Sequence, residues 1–177
     1  MSRTDPFVDP APLIRRVYSY VAYRIGDGPE AEDVTSETFE RAFRYRASYD
    51  SARGGPLAWL IGIARHCIDG RRLAPPRADA ADAEQVAAGE FEETAIDRLT
   101  VVAAVATLSD RDRELLALRY GADLTARQIG EILGLKTNAV DVALHRALAR
   151  VRSQLESEER SEKAGPAVGE PASGTSV

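Results

Sequence analysis

An all-α fold in two small helical domains is what this chain predicts, and three observations carry that prediction. Apolar residues recur at spacings of three and four through most of residues 14–72 and 108–155. No apolar–polar alternation runs long enough to build a strand. Between the two helical stretches lies a segment of alanine, proline and acid, residues 74–97, with seven acidic side chains against Arg77 alone. Its local charge of −6, in a chain of net charge −5, leaves +1 for everything else. Such a composition spaces domains apart rather than building one. The expected layout is a disordered N-terminus (1–10), a first domain (11–75), a linker (76–93), a second domain (94–156) and a disordered tail (157–177).

The first domain resolves into three helices. Ile14, Val17, Tyr18, Val21 and Ile25 follow the helical period until Gly26-Asp27-Gly28-Pro29 stops it. A second helix runs from Pro29 or Glu30 to Tyr45. Glu30, Glu32 and Asp33 lie at its start and Arg41, Arg44 and Arg46 at its end, which complements the helix dipole. Residues Asp50 to Gly55 form a turn-rich break, and Pro56 suits the first turn of a third helix. Leu60, Ile63, Ala64 and Cys67 should be its buried face, with Trp59 beside it. Arg65, Asp69 and Arg72, at i, i+4 and i+7, lie along its outer ridge with His66 one position round. That ridge reads either as an ordinary ion-pair ladder or as two cations held for phosphates.

In the second domain Ser109-Asp110-Arg111-Asp112 offers an N-terminal cap ahead of Leu115, Leu116 and Leu118. Thr125-Ala126-Arg127-Gln128 is a capping box, in which the threonine oxygen takes one orphan N–H and the glutamine reaches back to the cap residue. Ile129, Ile132 and Leu133 share one face of the short helix that follows. Gly134 can supply its left-handed end, and Thr137 can cap the next helix. Two short helices joined so tightly cross steeply, the helix-turn-helix geometry that presents its second helix to the major groove of DNA. In that second helix Val140, Leu144, Leu148, Val151 and Leu155 make the inward stripe. Thr137, Asn138, Asp141, Val142, His145 and Arg146 are then left outward to meet bases, and Lys136, Arg146, Arg150 and Arg152 suit phosphates.

The remaining composition narrows the function. One cysteine, Cys67, allows no internal disulfide and no cysteine-rich zinc site, which fits a reducing compartment. Two histidines and no phosphate-binding glycine loop leave no catalytic residues, metal site or cofactor to expect. No signal-like start and no run of bilayer length is present, so the expectation is a cytoplasmic protein without membrane insertion.

Four stretches in order resemble one family. Trp59-Leu60-Ile61-Gly62-Ile63-Ala64-Arg65-His66-Cys67-Ile68-Asp69-Gly70-Arg71-Arg72 is similar to the promoter-melting helix of bacterial RNA polymerase sigma factors of the extracytoplasmic-function group. Glu32-Asp33-Val34-Thr35-Ser36-Glu37-Thr38-Phe39 resembles that family's polymerase-binding helix. Leu108 through Tyr120, and the helix-turn-helix ending in Ala143-Leu144-His145-Arg146-Ala147, resemble its region four. The resemblance covers nearly all of residues 13–155. It departs from the family pattern at His66, where asparagine is usual, and at Ser36, where glutamine is common. Asp141, Val142 and Ala143 stand where basic or serine residues are frequent.

What the resemblance implies is a sigma factor that binds core polymerase and directs promoter-specific initiation. Asp33, Ser36, Glu37 and Arg41 would dock on the clamp helices of the polymerase's largest subunit. Arg65, His66, Asp69, Arg71 and Arg72 would hold the melted minus-ten element, with a flipped base received by the 50–55 loop. Lys136, Thr137, Asn138, Asp141, Val142, His145, Arg146 and Arg150 would meet the minus-thirty-five element, and the second domain would touch the polymerase flap. An anti-sigma factor is the regulatory partner such a protein implies. A stand-alone helix-turn-helix regulator is the alternative reading.

Overall fold

The structure, a computed structural model, describes residues 9–73, 105 and 107–163. The expected linker, the helical restart near Thr94 and residues 164–177 lie outside the described residues. All regular elements among the described residues are helices, as the apolar spacing demands.

Three helices make the first domain. α1 (Pro10–Ile25) begins within the stretch expected to be disordered, because Pro10 brings a φ already set for a first helical turn and lacks only an N–H that would have no partner there. Its buried stripe is Val17, Tyr20, Val21 and Arg24. Ile14, placed in the inward stripe by its spacing, is instead 45% exposed. α1 closes on Gly26 at φ 99°, and Gly28 at φ 120° turns the chain into α2 (Pro29–Arg44). Both angles lie where a Cβ would be strained, so this corner needs glycine twice. A 3-10 turn, Arg46–Ser48, which the sequence pattern did not suggest, follows α2. α3 (Pro56–Leu73) then crosses back, burying Leu57, Leu60, Ile61, Ala64, Cys67 and Ile68. Ile63 and Trp59 are half-buried against that core. Each such buried aliphatic side chain contributes about 1.5–3 kcal/mol.

Among the described residues, the first helix of the second domain is α4 (Asp110–Leu116), capped as expected: the Ser109 hydroxyl oxygen accepts from the Asp112 N–H at 3.2 Å. α4 widens into a π-turn, Ala117–Gly121, where the Ala122 N–H reaches back to the Ala117 carbonyl. α5 (Ala126–Leu133) and α6 (Thr137–Lys163) complete it. Leu115, Leu118, Leu124, Ile129, Val140, Leu144 and Ala147 are buried between them.

Three details of α6 differ from the sequence reading. Its inward stripe runs Val140, Leu144, Ala147, Val151, so Leu148 falls one step off the face and is 40% exposed. Thr137 is its first helical residue rather than its cap, and the Lys136 carbonyl accepts from the N–H groups of Ala139 and Val140. At 27 residues the helix is not short, and it carries on through residues 157–163 of the expected tail. That stretch lacks glycine and proline, and a Glu156–Arg160 pair at 3.6 Å spans the boundary; the first breakers come only at Gly165 and Pro166.

The two domains do not sit apart. α1 lies against the π-turn and α4, and α3 touches α5, so the buried residues of both domains form one continuous cluster. At Gly121 the two backbones come close: a Cβ there would stand 2.8 Å from Tyr20 Cα and 2.9 Å from the Ser19 carbonyl oxygen.

Candidate functional site

The helix-turn-helix is built as its local chemistry dictates. Thr125 and Gln128 close both halves of the capping box, the Thr125 N–H donating to Gln128 Oε1 at 2.9 Å and the Gln128 N–H to Thr125 Oγ1 at 3.3 Å. Gly134 ends α5 at φ 68°, ψ 32°. A Cβ at Gly130 would lie 2.6 Å from the Leu135 carbonyl oxygen, so α5 and the turn can meet only through a glycine. With Val140, Leu144 and Ala147 buried, Thr137, Asn138, Asp141, Val142, His145 and Arg146 all emerge on the exposed side of α6. Lys136 and Arg152 flank them, also exposed. Arg150, expected at a phosphate, instead donates to both oxygens of Asp112 at 2.9 Å. Asp112 is 8% exposed and also accepts from the Ser109 hydroxyl, so Arg150 braces α4 against α6.

The ridge of α3 has neighbours that spacing did not reveal. Arg65 and Arg72 reach across the domain seam instead of forming an i, i+4 ladder with Asp69. Arg72 gives both terminal nitrogens to Asp110, at 2.7 and 2.8 Å, and that contact holds the Asp110 carboxyl below its usual range. Arg65 Nε lies 3.2 Å from Glu114. Glu114, 8% exposed, meets Arg24 Nε at 2.6 Å and accepts from the Tyr20 hydroxyl at 3.0 and 3.1 Å. Burial and the Glu114 charge push the Tyr20 hydroxyl far above its ordinary pKa, so it stays a donor. Beside this cluster runs an open cleft of about 400 Å³, lined by Arg24, Arg65, Asp69, Asp110, Arg111 and Glu114 among others. His66 is exposed, with Nδ1 2.8 Å from the Gly62 carbonyl; a carbonyl only accepts, so Nδ1 carries the proton and a neutral ring offers Nε2 outward as an acceptor.

Arg71 departs from the ridge altogether. It turns to α2, 3.3 Å from Glu37 and 4.0 Å from Asp33, while Arg41 meets the other Glu37 oxygen at 2.6 Å. Asp33, Ser36 and Arg41 are exposed and Glu37 is half-buried, so α2 presents an outer face of mixed charge in which Glu37 is bridged to α3.

Sequence reasoning overlooked the end of α2. Phe43 and Tyr45 are 50% and 57% exposed, next to Arg44 and Arg46, and they precede the 50–55 loop. In the loop, Asp50 Oδ1 accepts from the Ala52 N–H and the Tyr49 hydroxyl donates to the Gly54 carbonyl at 3.2 Å. Trp59 packs on Tyr49 with ring centroids 5.3 Å apart. Two aromatics within an arginine-rich run that no helical stripe claims were the available signal. No group of three or more metal-ligating side chains gathers among the described residues, and none of the described helices is long and apolar enough to cross a membrane.

Comparison with known proteins matches this geometry to one family. The model for Sigma-70 region 2 matches residues 12–74 and that for Sigma-70 region 4 matches residues 104–153. The chain is 31% identical over 168 residues to the ECF RNA polymerase sigma factor SigW of Bacillus subtilis, covering 85% of this chain and 89% of that protein. It is 29% identical over 140 residues to BldN, an ECF sigma factor of Streptomyces coelicolor, covering 75% of this chain but about half, 53%, of BldN. In fold it is similar to the sigma factor RpoE of Bartonella quintana, solved with the anti-sigma factor NepR, at a TM-score of 0.63 and 16% identity over 84% of this chain and 94% of that one. Two region models in order on two packed helical domains, with a relative 31% identical and covered over 89% of its length, establish that the chain belongs to the extracytoplasmic-function group of the sigma-70 family.

Proposed function

We propose that this chain docks on core RNA polymerase and selects promoters by reading a minus-thirty-five element with α6 and holding a melted minus-ten element with the first domain. The observation that carries the reading is the exposed face of α6. Asn138, Asp141, Val142 and His145 sit where successive base edges would pass, on a helix whose opposite stripe is locked into the core. Asn suits adenine, Asp accepts from the cytosine amino group and Val packs on a thymine methyl. Lys136 and Arg146 supply charge for phosphates.

In the first domain, Arg65 and Arg72 would take phosphates of the opened strand, while Phe43 and Tyr45 offer faces on which unstacked bases can lie. Asp33, Ser36, Glu37 and Arg41 form the polymerase-facing surface, with Arg71 positioning Glu37. Arg150 is assigned to bracing, not to DNA. The chain carries −5 overall, so its own grip on duplex DNA is weak, and polymerase supplies the second attachment that raises effective concentration at the promoter. An anti-sigma factor, the partner seen on the Bartonella RpoE structure, is the natural inhibitor of such a protein.

The test is transcription in vitro from a randomised promoter library with purified core polymerase. Initiation from a defined sequence class only when this chain is present is expected. Tight, specific duplex binding by the chain alone at physiological salt, without transcription, would assign it instead to the stand-alone regulators.

A further inference from the structure

In sequence α3 carries a basic ridge, yet in the fold its most outward polar atoms are acceptors. Arg65, Arg71 and Arg72 each turn a guanidinium to a carboxylate, of Glu114, Glu37 and Asp110 respectively. The arginines one turn to either side of Asp69 are therefore bonded elsewhere, and Asp69 stands exposed. His66, three residues before it and also exposed, shares its face of the helix. The Nδ1 hydrogen of His66 is bonded to the Gly62 carbonyl, so the atom that a neutral ring turns outward is Nε2, with a lone pair and no hydrogen. An ionised carboxylate likewise only accepts. At this point the ridge offers a ligand two acceptors.

The space around the pair is clear. Gly62 and Gly70 lie one turn before and one turn after His66, and among the described residues a Cβ added at either would meet nothing within 4 Å. Neither has a positive φ. Glycine inside a helix costs stability relative to alanine, and here neither the backbone nor a packed neighbour asks for it. Its effect is to leave the helix bare on both sides of the imidazole, so that a flat ring can come down beside it. The glycines give room; the two acceptors give the chemistry.

A nucleic-acid base that meets two acceptors must bring donors. The amino groups of adenine, cytosine and guanine each hold two hydrogens, of which a duplex engages one in pairing and an unpaired strand leaves both free. Hydrogen bonds of about 2.9 Å set two acceptors on one amino nitrogen roughly 5 Å apart. That separation is within reach of side chains at i and i+3, whose Cβ atoms lie about 5–6 Å apart. Thymine has no amino group. Its single N3–H lies between two carbonyl oxygens that the Asp69 carboxylate would repel, and an acceptor buried against an acceptor is left unsatisfied.

We propose that His66 and Asp69 are the specificity-determining pair of α3: together they take both amino hydrogens of one unpaired adenine, cytosine or guanine and reject thymine at that position of the opened strand. This rests on the sigma-factor reading above. Because the second amino hydrogen is free only once the base pair is broken, the pair favours opened strand over duplex. Phosphate holding by Arg65 and Arg72 is indifferent to sequence, so the choice of base falls to the two acceptors.

The test uses the full-length chain assembled with purified core polymerase. A pool of single-stranded DNA with a randomised central window is offered, and the strands retained are sequenced against those retained by core polymerase alone. Thymine should be depleted about fivefold or more at one position. His66→Gln and Asp69→Asn each replace an acceptor-only group by an amide, which can turn its N–H groups to the oxygens of thymine. Each should bring thymine at that position to within about twofold of the other bases. Polymerase binding and helical circular dichroism should stay as in the parent. Unchanged depletion in either folded variant would overturn the proposal, as would a uniform loss of strand capture with the depletion intact, or capture by the parent with no thymine-depleted position. Should one variant not fold, the other decides by the same reading. If the parent does not bind polymerase, or if the assembled enzyme retains no more strand than core alone, the sigma reading fails and the role of the pair falls with it.

Discussion

α3 and α6 each carry a row of polar and basic side chains opposite a buried apolar stripe, yet their fates in the fold differ. On α6 the row stands in solvent: Asn138, Asp141, Val142 and His145 are exposed. On α3 the row is spoken for, Arg65 and Arg72 by Glu114 and Asp110 of the neighbouring domain and Arg71 by Glu37 of α2. A helical period tells which side chains share a ridge. It does not tell what lies across from that ridge, and a cation facing a carboxylate is a different reagent from one facing water.

Two glycine substitutions break the comparison most sharply, because the same added methyl should act at different places. Gly130→Ala places a Cβ 2.6 Å from a backbone oxygen inside the α5–α6 turn, where no flexible side chain can yield. It should cost about 3 kcal/mol of stability in urea unfolding and abolish duplex reading. Gly121→Ala meets backbone only across the domain seam and should lower stability in urea unfolding while leaving the α5–α6 turn and its duplex reading intact.

Next in size is the recognition face itself. Asn138→Ala or His145→Ala should relax preference at one or two upstream base pairs by about 1–3 kcal/mol, seen in a selection from randomised upstream elements. An unchanged consensus would remove α6 as the base reader.

Arg150→Ala and Lys136→Ala sharpen the contrast between bracing and phosphate holding. Arg150 lies on nearly buried Asp112, so its loss should cost about 1 kcal/mol of stability and leave the salt slope of DNA binding unchanged. Lys136→Ala should leave stability unchanged and shallow that slope by about one phosphate.

The smallest effect is set by pH. Asp110 is held below its ordinary value, about 3.9 in an open chain, by the hydrogen bonds from Arg72. Its contribution to the packing of the two domains is therefore complete above that ordinary value and is lost as pH falls through the depressed one. Urea-unfolding stability of the parent should fall on titration below about pH 4, and Asp110→Asn should lose less over the same range.

How far the sequence was legible follows from which forces are local. The Thr125–Gln128 box, the Ser109 cap, the Gly134 left-handed end and the Gly26–Gly28 corner all depend on residues within a few positions of each other, and each forms as the spacing predicted. Ile14, Leu148 and the continuation of α6 past Glu156 were misread, because burial depends on where a neighbouring helix stops. The residues expected at the DNA and polymerase surfaces could be placed on ridges but not given partners. Glu114 in particular sits in sequence as one more acid at the end of a charged run, and only the tertiary packing against Tyr20, Arg24 and Arg65 makes it the centre of the seam. Phe43, in the last turn of α2, and Tyr45, just past it, carry no mark in the sequence because no apolar stripe singles them out there.

Trp59 is the only tryptophan in the chain, and it rests on Tyr49, whose hydroxyl secures the loop that closes at Gly54. The indole is thus a built-in optical gauge of that loop. Any ligand that lifts Tyr49 or slides a base between the rings changes the polarity and quenching around the one indole, so occupancy of the loop can be followed by tryptophan emission, excited apart from the six tyrosines, without attaching a dye.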